Sequence, residues 1–258
     1  MNNFQKLTTM IAFGLASNFA SATALSLTSP GNTGILQDAV YLADNPTFPT
    51  GSGVIDSFLR VQARNSEQGY NTDFRPVQFD ELSDPIHTRS LLLSDLSAIT
   101  IGTTSYYQFL LDTNEPNSAS QKLITLTELQ IFLGNSPSLT GFASESGFGA
   151  NSTFVYSMDQ GIDGDSSVTL NDSNGAGSGR ADMYVLIPTV KFTGTNKYVY
   201  LYSAFTGTAG GFEEWATNGD CPPGEKCEVP PNETPEPGML ALIGLGLLSF
   251  SLQRRALR

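Results

Sequence analysis

Acidic side chains are the most abundant titratable groups in this chain, while histidine and cysteine are scarce. There are 25 Asp and Glu residues, one histidine (His87) and two cysteines (Cys221 and Cys227). Two thiols cannot make a four-ligand zinc site unaided, and His87 is far away in sequence. The run Cys221-Pro-Pro-Gly-Glu-Lys-Cys227 lacks the Cys-x-x-Cys spacing of thiol redox chemistry. In an oxidising compartment it reads as a small disulfide loop. His87, in Asp84-Pro-Ile-His-Thr88, would have to be the sole base of any His-dependent triad. The stretch Gly175-Ala-Gly-Ser-Gly179 misses the G-x-S-x-G nucleophile elbow by one position. The sequence therefore predicts a turn histidine, no catalytic residue and a non-enzymatic protein.

Carboxylates remain. Glycoside hydrolysis needs only two of them facing each other across a bond, and Glu213-Glu214-Trp215 sets an acid pair beside the only tryptophan. Trp215 reads either as a strand residue in the core or as a platform for a sugar ring. Calcium is the metal that hard oxygen ligands in loops would suit. Asp159, Asp163 and Asp165 supply such ligands, as does Asn171-Asp-Ser-Asn-Gly175, although neither follows the EF-hand pattern. Asp112-Thr-Asn114 after a strand is equally ambiguous. Asp, Asn and Gly are also what turns require, and turn chemistry is the preferred reading. No other cofactor is expected.

The elements that must position these residues read as strands. The chain is 258 residues long, 40% hydrophobic and only 15% charged, with 25 Gly, 14 Pro, 16 Phe and 9 Tyr. That is too apolar for disorder and suits a turn-rich all-β domain. Strand patterns occur at 34–42, 54–61, 76–82, 89–96, 98–111, 129–133, 153–158, 167–170, 183–187 and 197–205. Thr125-x-x-Glu128 resembles a capping box that would open one helical turn. The spacing predicts an antiparallel β-sandwich, jelly-roll-like, over residues 25–216. Residues 217–234, acidic and proline-rich, predict a semi-rigid stalk. The net charge of −12 repels phosphate backbones, so nucleic acid is not an expected partner.

Both termini carry addresses. Residues 1–24 have the weakly basic start, short apolar run and small residues of a signal peptide. Ala20-Ser-Ala22 and Ala22-Thr-Ala24 each fit a cleavage site for signal peptidase, after Ala22 or after Ala24. At the other end Pro235-Glu236-Pro237 precedes 238–252, which carries no charge, and then a basic tail with Arg254, Arg255 and Arg258. As a helix the apolar run would be roughly 23 Å long, short against a hydrocarbon core of about 30 Å. It predicts a single transmembrane helix whose arginines stay cytoplasmic.

This three-part order, over residues 235–258, resembles the PEP-CTERM sorting signal. The resemblance implies recognition by an exosortase, a membrane-embedded cysteine protease, and processing near Pro235-Glu236-Pro237. It further implies a Gram-negative bacterium that makes exopolysaccharide, with an inner-membrane intermediate followed by the cell surface or extracellular matrix. The body is similar to an ectodomain of unassigned activity recurrent in such proteins. The similarity rests on Tyr107-Gln-Phe-Leu-Leu-Asp-Thr-Asn114, Leu126-Thr-Glu-Leu-Gln-Ile-Phe132, Val155-Tyr-Ser-Met-Asp159, Gly177-Ser-Gly-Arg-Ala-Asp182, Tyr198-Val-Tyr-Leu-Tyr202 and Gly211-Phe-Glu-Glu-Trp215. Where relatives often carry a second acid before the glutamate of the Leu-x-Glu-Leu piece, this chain has Thr127. The expected function is a sorted structural or adhesive surface protein, with a carbohydrate-binding or carbohydrate-cleaving module as the alternative.

Overall fold

Strands with an apolar side chain at every second position need a second layer to bury that face, and the chain supplies one from itself. The computed structural model describes residues 22–43, 56–115, 123–144, 146–159, 165–172 and 181–217. Among these there are strands and three short 3-10 turns, and no α-helix. One seven-stranded sheet holds β1 (Ala24–Leu27), β5 (Arg64–Tyr70), β6 (Leu91–Leu92), β9 (Leu123–Gly134), β10 (Ser152–Ser157), β11 (Ser167–Asn171) and β13 (Tyr198–Ala209). Its main order is β1-β11-β9-β13-β5. The second seven-stranded sheet holds β2 (Thr33–Leu36), β3 (Ala39–Ala43), β4 (Ser57–Val61), β7 (Ala98–Ile101), β8 (Thr104–Asn114), β12 (Met183–Pro188) and β14 (Phe212–Thr217). Its main order is β2-β3-β12-β8-β14-β4.

The all-β, two-sheet expectation holds. Antiparallel pairing holds for every ladder among the described residues except β1 with β11, which run parallel. The expected transmembrane helix at 238–252 lies outside the described residues, and no helix within them is long and apolar enough to cross a membrane.

Several elements differ from the pattern-based expectation. The strand expected over 34–42 is a hairpin, because Gln37 and Asp38 turn the chain with φ of 49° and 68°. The run 98–111 is likewise split into β7 and β8 around Gly102, at φ 62°. Residues 76–82 make only an isolated bridge, Val61 with Glu81, and 89–96 shrinks to β6 and a 3-10 turn. Thr125 and Glu128 lie inside β9, so the helical turn is absent. Thr125 Oγ1 instead meets Thr169 Oγ1 of β11 at 3.4 Å. The sequence patterns do not include β1 or β5, and reach β14 only through Trp215; β5 (Arg-Asn-Ser-Glu-Gln-Gly-Tyr) has only one large apolar residue.

The interior between the sheets is one apolar cluster containing Leu27, Tyr41, Leu59, Phe109, Leu111, Ile131, Val185, Leu201 and Trp215. Polar hooks cross it: the hydroxyls of Tyr41 and Tyr156 lie 2.8 Å apart, and Tyr156 donates to the Leu36 carbonyl. A second cluster sits on the outer face of the β13 sheet. There Tyr200 and Tyr202 meet Phe148 and Phe142, with ring centroids 4.6 and 4.4 Å apart. Phe142 and Phe148 come from the 135–148 connection, which therefore roofs that face of the sheet.

Candidate functional site

The Glu213-Glu214 pair stands in β14, where successive side chains point to opposite faces. Glu213 and Trp215 point inward and are completely buried. Trp215 Nε1 donates to Ser203 Oγ of β13 at 3.0 Å. Glu214 points outward to Arg60 of β4, which reaches Oε1 from Nε at 2.8 Å and from Nη2 at 2.5 Å. The Arg60 guanidinium also lies 4.5 Å from the Phe212 ring centroid. Strand alternation thus separates the two carboxylates, and Trp215 presents no ring face to a saccharide. The sugar-platform expectation for Trp215 is corrected by its burial.

His87 is a turn residue. Its Nδ1 lies 3.0 Å from Asp84 Oδ2, and the Asp84 carboxylate also accepts from the Ile86 N–H. That N–H holds the Asp84 carboxyl below its usual range, with His87 adding to the effect.

Of the three calcium candidates, Asp159 and Asp165 are described and Asp163 is not. Asp159 Oδ1 accepts from the Ser166 N–H at 2.5 Å, and the Asp159 N–H donates to Ser157 Oγ. Burial pushes the Asp159 carboxyl up to about 6, with the charges of Glu128 and Asp165 adding to it. The charge of Glu128 thus reaches Asp159 from within β9, a strand where the sequence pattern suggests a helix cap.

The two other ambiguous loops come together near the Leu123 end of β9, where Asn171 is registered. Asp172 Oδ1 accepts from the Glu115 N–H at 3.0 Å and from Thr113 Oγ1 at 3.4 Å. Asp182, just before β12, accepts on Oδ2 from Thr113 N–H at 2.9 Å and from Thr113 Oγ1 at 2.7 Å. Glu115 in turn accepts from the Ala209 N–H on both oxygens, at 3.0 and 2.9 Å. Glu67 Oε2 accepts from the Ala63 N–H at 2.8 Å. Asp112-Thr-Asn114 and Asn171-Asp172 therefore meet at one end of the sandwich, together with Asp182, Glu115, Glu67 and Glu213.

Burial dominates the electrostatics at this end. It raises the Asp182 carboxyl to about 8, against the two Thr113 donors and with Asp112 and Asp172 adding to it. It raises Glu67 to about 8, against the Ala63 N–H and with Glu115 and Asp80 adding to it. Glu115 is raised for the same reason, and Asp172 contributes. The sequence offered one faint signal for Asp182, an acid directly before an apolar strand, and none for Glu67. Among the described residues no group of three or more His, Cys, Asp or Glu side chains is arranged to hold a metal ion.

The remaining candidates, Pro235, Glu236, Pro237, Arg254, Arg255, Arg258, Cys221 and Cys227, lie outside the described residues. Ala22 and Ala24 are described: Ala24 is the first residue of β1, and the Thr23 carbonyl accepts from the Ser167 N–H at 2.9 Å. The tail is decided by comparison with known families, where the PEP-CTERM protein-sorting motif matches residues 233–255. This is a chain with a PEP-CTERM sorting signal. The signal supports exosortase-dependent sorting towards the cell surface, with exosortase as the processing partner. No curated protein and no solved structure matches the chain.

Proposed function

We propose that this chain is a non-enzymatic, structural or adhesive β-sandwich displayed on the cell surface or in the exopolysaccharide matrix of a Gram-negative bacterium. Signal peptidase removes the leader, residues 238–252 hold an inner-membrane intermediate with the arginines cytoplasmic, and exosortase processes the tail. The observation that carries this reading is the sorting motif at 233–255 standing behind an all-β body. The acids whose contacts are known also favour it, since they serve the fold. Glu81 accepts from the Tyr70 and Phe79 N–H groups, Asp73 from Ser90, and Asp80 from Gln68. Calcium at Asp159, Asp163 and Asp165 stays a separate proposal, which rests on three acids in one stretch of sequence.

The prolines before the apolar run hold the backbone extended, the form in which proteases read a peptide. Glu236 cannot enter the bilayer cheaply, which keeps the motif at the interface beside a membrane-embedded enzyme. Replacing Pro235, Glu236 and Pro237 by alanine is expected to leave the chain inserted but unprocessed in a host with its exosortase. Blots of membrane and surface fractions read the outcome, and a triple variant shortened and released like the wild type would refute the reading. The carbohydrate alternative loses the residues that suggested it, because Trp215 and Glu213 are buried and Glu214 is paired with Arg60. A glycan array and a reducing-end assay on the purified protein test it directly, and binding or cleavage there would restore it.

A further inference from the structure

Glu213 is fully buried, and neither carboxylate oxygen has a hydrogen-bond partner. Glu67 is 2% exposed, and its Oε1 is likewise without a partner. Buried polar atoms are nearly always satisfied, and orphaned ones call for an ion, a water or a function. Two carboxyls with three orphaned oxygens make a cation a natural explanation, because a carboxyl buried without donors must either keep its proton or be compensated by a positive charge.

Two contacts across the interior set these glutamates at one level. Trp215 of β14 reaches Ser203 of β13. Both strands run into the corner at Ala209–Phe212, so Glu213, two residues nearer that corner, stands at the level of Phe205. Phe205 is registered with Glu67 on β5. Independently, Val61 is registered beside Glu213, and its Cγ1 would lie 2.7 Å from a β-carbon on Gly69, two residues from Glu67. Both glutamates therefore face the interior at the end closed by the β4–β5 and β13–β14 corners. The second corner is drawn tight, since a β-carbon on Gly211 would lie 2.0 Å from the Asn114 carbonyl oxygen. Glu115, whose carboxylate receives the Ala209 N–H, adds a third negative charge nearby.

We propose that Glu213 and Glu67 hold a divalent cation, calcium, inside this end of the sandwich. The donors are hard oxygens throughout, with no nitrogen or sulfur. Calcium accepts carboxylates together with backbone carbonyls and water in flexible geometry, whereas magnesium gives up its water reluctantly and suits a buried site less well. Two carboxylates supply part of the shell and leave the rest to backbone oxygens and water. This site is separate from the Asp159 neighbourhood and is independent of how the chain is sorted.

Trp215 provides the readout. It is the only tryptophan in the chain and lies two residues from Glu213 on the same inward face, about 7 Å along the strand. Terbium, a calcium surrogate, is added to the chelator-stripped full-length protein in detergent and excited on the red edge of tryptophan absorption. The expected result is sensitised terbium emission that calcium displaces. Glu213→Gln and Glu67→Gln should each weaken binding about tenfold or more, while Asp159→Asn leaves the signal unchanged. Glu213→Gln should also melt higher than wild type after chelation, since it removes an orphaned, ionisable buried carboxyl, and should lose the calcium-induced rise in Tm. Absence of tryptophan-sensitised emission on the wild-type protein overturns the proposal even if a variant fails to fold. Emission that survives in Glu213→Gln, or disappears in Asp159→Asn, overturns it equally.

Discussion

At Asp182 burial outweighs two hydrogen bonds, and stability becomes pH-dependent as a result. The carboxyl rises to about 8 in the fold, with Asp112 of β8 and Asp172 after β11 as its charged neighbours, against about 3.9 in an unfolded chain. Between those values the folded state keeps a proton that the unfolded state has released. The contribution of Asp182 is therefore full below about pH 4 and is lost as the pH rises towards 8. Asp182→Asn keeps an acceptor for Thr113 and removes the titration. Its Tm is expected to fall less steeply than that of wild type between these two pH values, as thermal melts across a pH series would show. Trp215 makes a different kind of claim. Trp215→Phe leaves the buried Ser203 Oγ without its donor and should cost about 1–3 kcal/mol, measured as a lower denaturant midpoint.

Single elements carry two further expectations. The β2–β3 turn places Gln37 and Asp38 in left-handed backbone conformations, which glycine adopts far more readily than other residues. Asp38→Gly should stabilise the protein by about 1 kcal/mol, because the Lys191 ion pair it sacrifices is at the surface and worth little. A rise in Tm checks this, and a fall would show that the ion pair matters more than the backbone. At the other edge, β1 pairs with β11 from Ala24 onward, and Thr23 adds a hydrogen bond from Ser167. Cleavage after Ala24 would remove both residues, whereas cleavage after Ala22 keeps them. The mature N-terminus is therefore expected to be Thr23, and mass spectrometry that finds Leu25 instead would contradict it.

For the whole molecule, every ladder among the described residues lies between Ala24 and Thr217. A chain truncated after Thr234 keeps all of them and loses the sorting motif. It is expected to melt within a degree or so of the full-length protein, since every ladder among the described residues is kept, and to escape exosortase. Differential scanning calorimetry and a blot of the culture medium test the two halves separately. A large drop in Tm would mean that the tail supports the fold.

What the sequence determined by itself was local in origin. Tyr198-Val-Tyr-Leu-Tyr202 shows its two faces because strand alternation has a period of two, and β13, most of β8 and the second half of β9 are legible for that reason. The address, read at 235–258 and matched at 233–255, was equally legible, because a sorting signal is read as a linear order of residues. Tertiary structure decided everything that depends on which strand lies beside which. It buried Trp215, set Glu214 against Arg60, and made both faces of β13 interior by laying Phe142 and Phe148 over the outer one. It also brought Asp112-Thr-Asn114 to Asn171-Asp172, distant in sequence, through the donors of Thr113 and Glu115. Alternation specifies that a residue points inward but not what it meets there. That second fact, which leaves both oxygens of Glu213 and Oε1 of Glu67 without a hydrogen-bond donor, comes only from the registers of β4, β5, β13 and β14.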